Sequence, residues 1–209
     1  MGRTIAQTMH YTGADWLLRE SRQREEDCLA MLRALQLRGG MTVCDMGCGN
    51  GFYALQMARL VGEKGSVLAV DIQPEMLRLL QARAVEAGQT NIKEILGTPT
   101  DPKLPAHTVD LILCVDVYHE FSHPQEMLAA MRRALKPTGR LVLVEFRAED
   151  PDVPIKPLHK MSEAQVKKEM AVQPLEFVEN PTELPWQHVI IFRKKADGLN
   201  TKSQDPSSP

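Results

Sequence analysis

Acidic side chains stand at the ends of three apolar runs: Asp45 closes TVCD, Asp71 closes SVLAVD, and Asp116 follows LILCV. Glycines then recur at alternate positions after Asp45, at Gly47, Gly49 and Gly51, before an apolar-periodic stretch begins. A strand that ends in an acid, enters a glycine loop and opens a helix lets backbone amides approach a nucleotide-like ligand. The dinucleotide fingerprint G-x-G-x-x-G would need a glycine at position 52, which is Phe52, so the order here is D-x-G-x-G-x-G. Asp71 follows Gly51 by 20 residues, and a carboxylate at that strand end can accept both hydroxyls of a ribose. The neighbouring Ile72 offers an apolar wall for a base. A polar cluster, Asp116, Tyr118, His119 and Glu120, follows the third run. A histidine has an unperturbed pKa of about 6.5 and suits proton transfer; packing of Tyr118 and His119 against the next helix is the plainer alternative.

These residues need a framework of alternating elements. The patterns predict strands at Thr42–Met46, Ser66–Ile72, Ile92–Leu96, Val109–Val115 and Arg140–Phe146, with helices at Phe52–Val61, from Pro74 to Ala87 and from Pro124 to Leu135. Pro74 suits a first helical turn because its φ is already fixed. Several of the strands are apolar throughout, as expected when both faces of a sheet are covered. Strands alternating with helices imply an α/β fold with a parallel sheet. Leu175–Glu179 and His188–Arg193 read as an antiparallel strand pair, after a helix at Glu163–Ala171. Ahead of the sheet, residues 1–13 read as an irregular arm and Asp15–Leu37 as one or two amphipathic helices. The mixed charges of Arg19–Asp27 read as a solvated helix face. The divisions expected are an arm and helical lid over 1–40, a core domain over 41–195 and a disordered tail over 196–209.

The 209 residues suffice for one domain, and 43% hydrophobic with 25% charged residues is ordinary for a globular protein. A net charge of −2 gives no global basic field for nucleic acid. No segment is apolar and long enough to span a bilayer, and no signal-peptide core opens the chain. The four cysteines, Cys28, Cys44, Cys48 and Cys114, form no C-x-x-C pair, so free thiols and a cytoplasmic setting are expected. With six histidines but no paired acids or cysteines at ligand spacing, no metal site is expected.

The D-x-G-x-G-x-G stretch resembles motif I of the class I S-adenosylmethionine (SAM) methyltransferases. VDLILCVDVYHEF resembles their motif IV, and LKPTGRLVLVEF is similar to a segment of the ubiquinone/menaquinone C-methyltransferase group. The resemblance implies a Rossmann-like, doubly wound seven-stranded sheet with helices on both faces and the last strand antiparallel. It implies SAM as methyl donor, S-adenosylhomocysteine as product, and a small-molecule acceptor. Asp45, Gly47, Gly49, Asp71, Ile72 and Asp116 then become donor-binding candidates. The family often has an acid directly after the glycine of the third loop; here Thr98 stands there and Asp101 three residues later, and both remain candidates. His119 and Glu120 are the catalytic candidates. His10, Tyr11, Tyr118 and His159 are candidates for the acceptor pocket, with Trp16, Lys156 and Lys160 nearby. The alternatives are a protein methyltransferase and a non-catalytic SAM-binding protein. No nucleic-acid partner is expected, and the sequence leaves the oligomeric state open.

Overall fold

The computed structural model describes residues 1–181 and 184–195. The tail 196–209, expected to be disordered, lies outside the described residues. The strands are β1 (Thr42–Met46), β2 (Ser66–Asp71), β3 (Ile92–Leu96), β4 (Val109–Val115), β5 (Leu135–Arg147), β6 (Lys160–Met161), β7 (Leu175–Glu179) and β8 (Gln187–Lys194). They form one sheet in the order β3-β2-β1-β4-β5-β8-β7. β1 to β5 are mutually parallel, and β8 runs antiparallel to both its neighbours. The seven strands of the main path have the expected arrangement, and the two-residue β6 is an addition. The last β4–β5 pair is Val115 with Val144; β5 runs on, and Phe146 and Arg147 pair with Lys160 and Met161 of β6 instead. β6 therefore fills the place beside β5 that β4 vacates.

Alternation along the strands divides the core into two layers, one on each face of the sheet. Val43, Val67, Leu111, Val142 and Ile191 pack on one face with α2 (Cys28–Ala34), α3 (Phe52–Val61) and part of α4 (Pro74–Glu86). Cys44, Leu68, Ile112, Leu143 and Ile190 pack on the other face with α5 (Pro124–Ala134) and α6 (Glu163–Met170). No helix among the described residues is long and apolar enough to cross a membrane.

The N-terminal region departs from expectation in two ways. The arm is irregular only to His10, a 3-10 helix covers Tyr11–Leu18, and two short helices follow, α1 (Arg22–Glu26) and α2. Asp27 makes the break: it takes a left-handed φ of 42°, and its side chain accepts the Ala30 N–H at 3.1 Å to cap α2. The charged stretch is also not wholly solvated. Arg22 and Glu26 are buried, and Arg22 Nε donates to Glu26 at 2.8 Å. The guanidinium of Arg22 lies 4.2 Å from the centre of the Phe52 ring. The i, i+4 pair faces the sheet domain rather than water, which burial permits because each charge has its partner. Along β5, the Lys136–Gly139 segment joins the strand, and the pairing with β4 shifts register between Val109 and Leu111 instead of ending in a free turn.

Gly51 ends the glycine loop with φ +83°, and a Cβ there would sit 1.9 Å from Cδ1 of the fully buried Leu80 on α4. We expect Gly51→Ala to destabilise the fold by at least about 1–3 kcal/mol, through both overpacking and a strained φ. A urea midpoint unchanged from wild type would contradict this packing.

Candidate functional site

The carboxyl ends of β1, β2 and β4 open into one cavity of about 830 Å³, roofed by the N-terminal arm. Its wall includes Gly47, Gly49, Asp71, Ile72, Thr98 and Asp116 at one end and His119, Glu120, Lys156 and His159 at the other. Residues from Ile5 to His10, with Trp16 and Leu17, close the top. Several bonds tie the arm down, among them Met9 N–H donating to Glu120 Oε1 at 3.2 Å. Ala6 N–H donates to His119 O at 3.2 Å, and the Asn50 side chain donates to Ala14 O at 2.8 Å. Gln73 accepts the Tyr11 N–H at 2.9 Å and donates to Met9 O at 2.8 Å.

The glycine loop is held against β2. Gly47 N–H and Cys48 N–H both donate to Val70 O, at 2.8 and 2.9 Å. Asp71 accepts the Gly49 N–H on Oδ2 and the Gln73 N–H on Oδ1, both at 2.9 Å. Each carboxylate oxygen keeps a second lone pair for a ligand. Burial raises the Asp71 pKa, against the pull of these backbone donors. Asp45 lies behind the loop and does not line the cavity; burial pushes its pKa up to about 7, and its Oδ2 is buried with no partner among the described residues. Asp116, with φ +51°, accepts from the Gln187 side chain at 2.7 Å on Oδ2 and leaves Oδ1 buried and unpartnered among the described residues. Burial, with Glu26 and Glu145 nearby, holds its pKa well above the ordinary value.

At the other end, His119 is 2% exposed. Glu145, fully buried on β5, meets its Nδ1 at 2.6 Å and also accepts the Tyr118 N–H at 3.0 Å. A hydrogen on Nδ1 suits the contact with the Glu145 carboxyl group. In the neutral ring this leaves Nε2 as the acceptor, and His159 Nδ1 lies 3.1 Å from it. Burial opposes charge on His119, but the Glu145 carboxylate outweighs it and the pKa is raised. His159 moves the other way, lowered by partial burial and then by His119 and Lys156. Burial lifts Glu120 to about 7, although His119 and the Met9 N–H pull it down.

Besides Asp45, four of the residues singled out from sequence do not line the cavity: Asp101, Tyr118, Tyr11 and Lys160, whose ammonium donates to Asp150 O at 3.0 Å. Asp101 is half-exposed, accepts the Lys103 N–H at 2.8 Å and faces Arg133 on a separate surface depression. Its backbone N–H instead donates to the Thr98 hydroxyl at 2.9 Å, so the loop's own turn points the carboxylate away. Tyr118 is fully buried in the core beneath the site, its hydroxyl donating to Glu169 at 2.8 Å. Tyr11 lies on the outer surface against His10, their rings 4.4 Å apart, and only its backbone N–H joins the arm's anchoring. The remaining residues, His10 and Ile72 among them, face the cavity, with Asp45 directly behind it. Sequence reasoning gave no role to Gln73 and Asn50, and an acid near the end of LVLVEF, Glu145, reads from sequence equally as a structural ion-pair member or as a pocket residue. Glu145 carried one signal, an acid within a strand otherwise covered on both faces.

A family model described as a methyltransferase domain matches residues 37–198. The chain belongs to the class I SAM-dependent methyltransferases. A ubiquinone/menaquinone biosynthesis C-methyltransferase of Azotobacter vinelandii is 33% identical over 111 residues, 53% of this chain and 44% of that protein. Nocamycin O-methyltransferase of Saccharothrix syringae is 32% identical over 113 residues, 54% of this chain and 40% of its own length. The chain thus spans less than half the length of these curated relatives. The crystal structure of a SAM-dependent methyltransferase from Aquifex aeolicus superposes with a TM-score of 0.83 at 27% identity, covering 88% of this chain and 98% of the other.

The family's cofactor, SAM, carries a sulfonium and an ammonium. The cavity suits such charge: Asp71, Asp116 and Glu120 line it, Asp45 backs it, and two of the buried carboxylate oxygens have no partner among the described residues.

Because Asp45 binds its proton more tightly when folded (about 7) than at its ordinary value of 3.8, its contribution to stability is complete below the ordinary value. It is lost as the pH rises through about 7. Urea unfolding of the ligand-free protein across that window should show stability falling with pH, with a shallower fall in Asp45→Asn. Parallel profiles for the two proteins would refute the burial argument.

Proposed function

We propose that the chain transfers the methyl group of SAM to a small-molecule acceptor, in a cytoplasmic setting that its four free, buried cysteines suit. The observation that carries this reading is the continuity of one walled cavity from Asp71 and the glycine loop to His119 and His159. Donor and acceptor then share one continuous space. The roof formed by Ile5–His10 favours a small molecule over a protein chain, and we read the arm as a lid.

SAM, when bound, supplies a methyl group already activated by the adjoining positive charge. Asp71 would hold the ribose hydroxyls with the lone pairs that Gly49 and Gln73 leave free. Ile72 and Pro99 would flank the adenine, with Thr98 beside it; the Thr98 hydroxyl and N–H already serve its own turn. Asp116 Oδ1 and the Asp45 carboxyl would face the ammonium and sulfonium, whose positive charge favours loss of the protons that burial makes these acids hold. Alignment of the two reactants is the main contribution, worth roughly 7–11 kcal/mol in well-oriented systems. His119 Nε2, which lies 3.1 Å from His159 Nδ1, would have to exchange that contact for the acceptor's hydroxyl or thiol, and in the neutral ring it can then take the proton when the acceptor must lose one. Glu145 stabilises the resulting imidazolium, and Glu120 lies alongside, its Oε1 4.0 Å from Nε2.

Calorimetry with SAM and with NAD, followed by S-adenosylhomocysteine formation over a panel of phenols, thiols, amines and quinols, tests the reading. NAD binding without SAM binding would end it; SAM binding with no product from any acceptor would favour a non-catalytic role. Asp71→Ala should weaken SAM binding by about 1.5–3 kcal/mol, with some loss of stability because two backbone bonds go with it. His119→Ala should lower kcat by about 10²- to 10⁴-fold while SAM affinity is kept; an unchanged kcat would remove His119 from the chemistry.

A further inference from the structure

The sequence offered no metal-ligand spacing, yet the fold gathers three ligand-type side chains at the acceptor end of the cavity. His119, Glu120 and His159 present ligand atoms that all lie within 4.8 Å of one another. His119 and Glu120 come from the turn after β4. His159, 40 residues further on, is delivered by the overhang of β5 and its pairing with β6. We propose that these three residues form a binding site for a divalent transition metal, zinc being the reference ion.

Four features of the site carry this. The first is spacing. Ligand atoms at 2.0–2.1 Å from a tetrahedral zinc lie about 3.3 Å apart. His119 Nε2 is 3.1 Å from His159 Nδ1 and 4.0 Å from Glu120 Oε1. Glu120 Oε1 now accepts the Met9 N–H at 3.2 Å, and its move to the ion would exchange that bond for coordination. The second is tautomer. A ligating imidazole needs a free lone pair on the metal side and a donor bond on the other, most often to a carboxylate. Glu145 holds His119 in that form at 2.6 Å, and Glu145 is itself fixed by the Tyr118 N–H. The third is charge. Beside the trio's own Glu120 stand the acids Glu145 and Asp116, against the cations Lys156 and Arg22 on the cavity wall. The fourth is access: all three residues line the cavity, so one coordination position would face the acceptor.

Two imidazoles and one carboxylate with an open position suit zinc, iron(II), cobalt(II) or nickel(II) better than magnesium or calcium. A Lewis acid there lowers the pKa of a hydroxyl or thiol that reaches its free position. The acceptor class is therefore one bearing such a group, and its activation passes from the bare imidazole to the ion. That consequence rests on the methyl-transfer reading; binding of the ion does not.

The test uses full-length, tag-free protein stripped with a chelator. Zinc is titrated by calorimetry, cobalt(II) is followed by its visible d–d absorption, and SAM is titrated on the same preparation. We expect one ion per chain and cobalt bands of low-symmetry, four- or five-coordinate type. His159→Ala, on an accessible loop segment, should lower zinc affinity at least about tenfold, and Glu145→Gln by about 10- to 100-fold. Absence of stoichiometric uptake, or uptake undiminished in His159→Ala, overturns the proposal and leaves two imidazoles that merely share a hydrogen bond. SAM binding in metal-free protein separates the two readings. Its presence with no ion uptake removes the metal site alone, and its absence alongside ion uptake removes the methyl-donor reading alone.

Discussion

The site depends on one constraint: the glycine loop after β1 is pinned to the end of β2. Val70 O receives two loop N–H groups, and the Asp71 carboxylate receives a third, from Gly49. These bonds shape the loop without a ligand, so the carboxylate edge of the donor site is set before anything binds. The same bonds offset part of the cost of burying the Asp71 carboxyl group. Burial raises its pKa, and the backbone donors pull it back. Preorganisation of this kind lowers the cost of binding, because the loop has no freedom left to lose.

A second buried carboxylate organises the opposite end. Glu145 stands in the middle of the sheet, on β5, and its two oxygens serve Tyr118 N–H and His119. It thereby fixes the turn after β4 and the tautomer of the histidine at once. An isolated buried acid would cost far more than it returned, and satisfied bonds on both oxygens make the position tolerable. The arm is drawn into the same network. Arg3 donates to the carbonyls of His119 and Tyr118 and to Glu169, so the roof is fastened to the turn that it covers.

Much of the fold was legible because it rests on local patterns. Continuous apolar runs separated by amphipathic stretches announce a parallel sheet with both faces covered, and strand-end acids mark the edge where ligands bind. Gly47, Gly49 and Asp71 could be placed together at the strand ends from spacing alone, and all three line the cavity. The N-terminal helices were less legible. Asp27 breaks them through a left-handed backbone and a cap, and the Arg22–Glu26 pair has the spacing of a solvated face whether or not something packs on it. Asp101 and Tyr118 were misplaced for a similar reason. Residue type suggested a role, but a turn bond at Thr98 and a core contact at Glu169 decided where each side chain points.

By itself, then, the chain determined the order and type of the sheet elements, the strand-end acids and the glycine loop, since each is written in contiguous residues. Only tertiary structure decided what meets across the cavity. His159 reaches His119 because β5 outruns β4 and pairs with β6. The arm reaches the site because Gln73 and Asn50 bind its backbone. Such contacts join residues tens of positions apart and depend on strand lengths and registers, which no local pattern records.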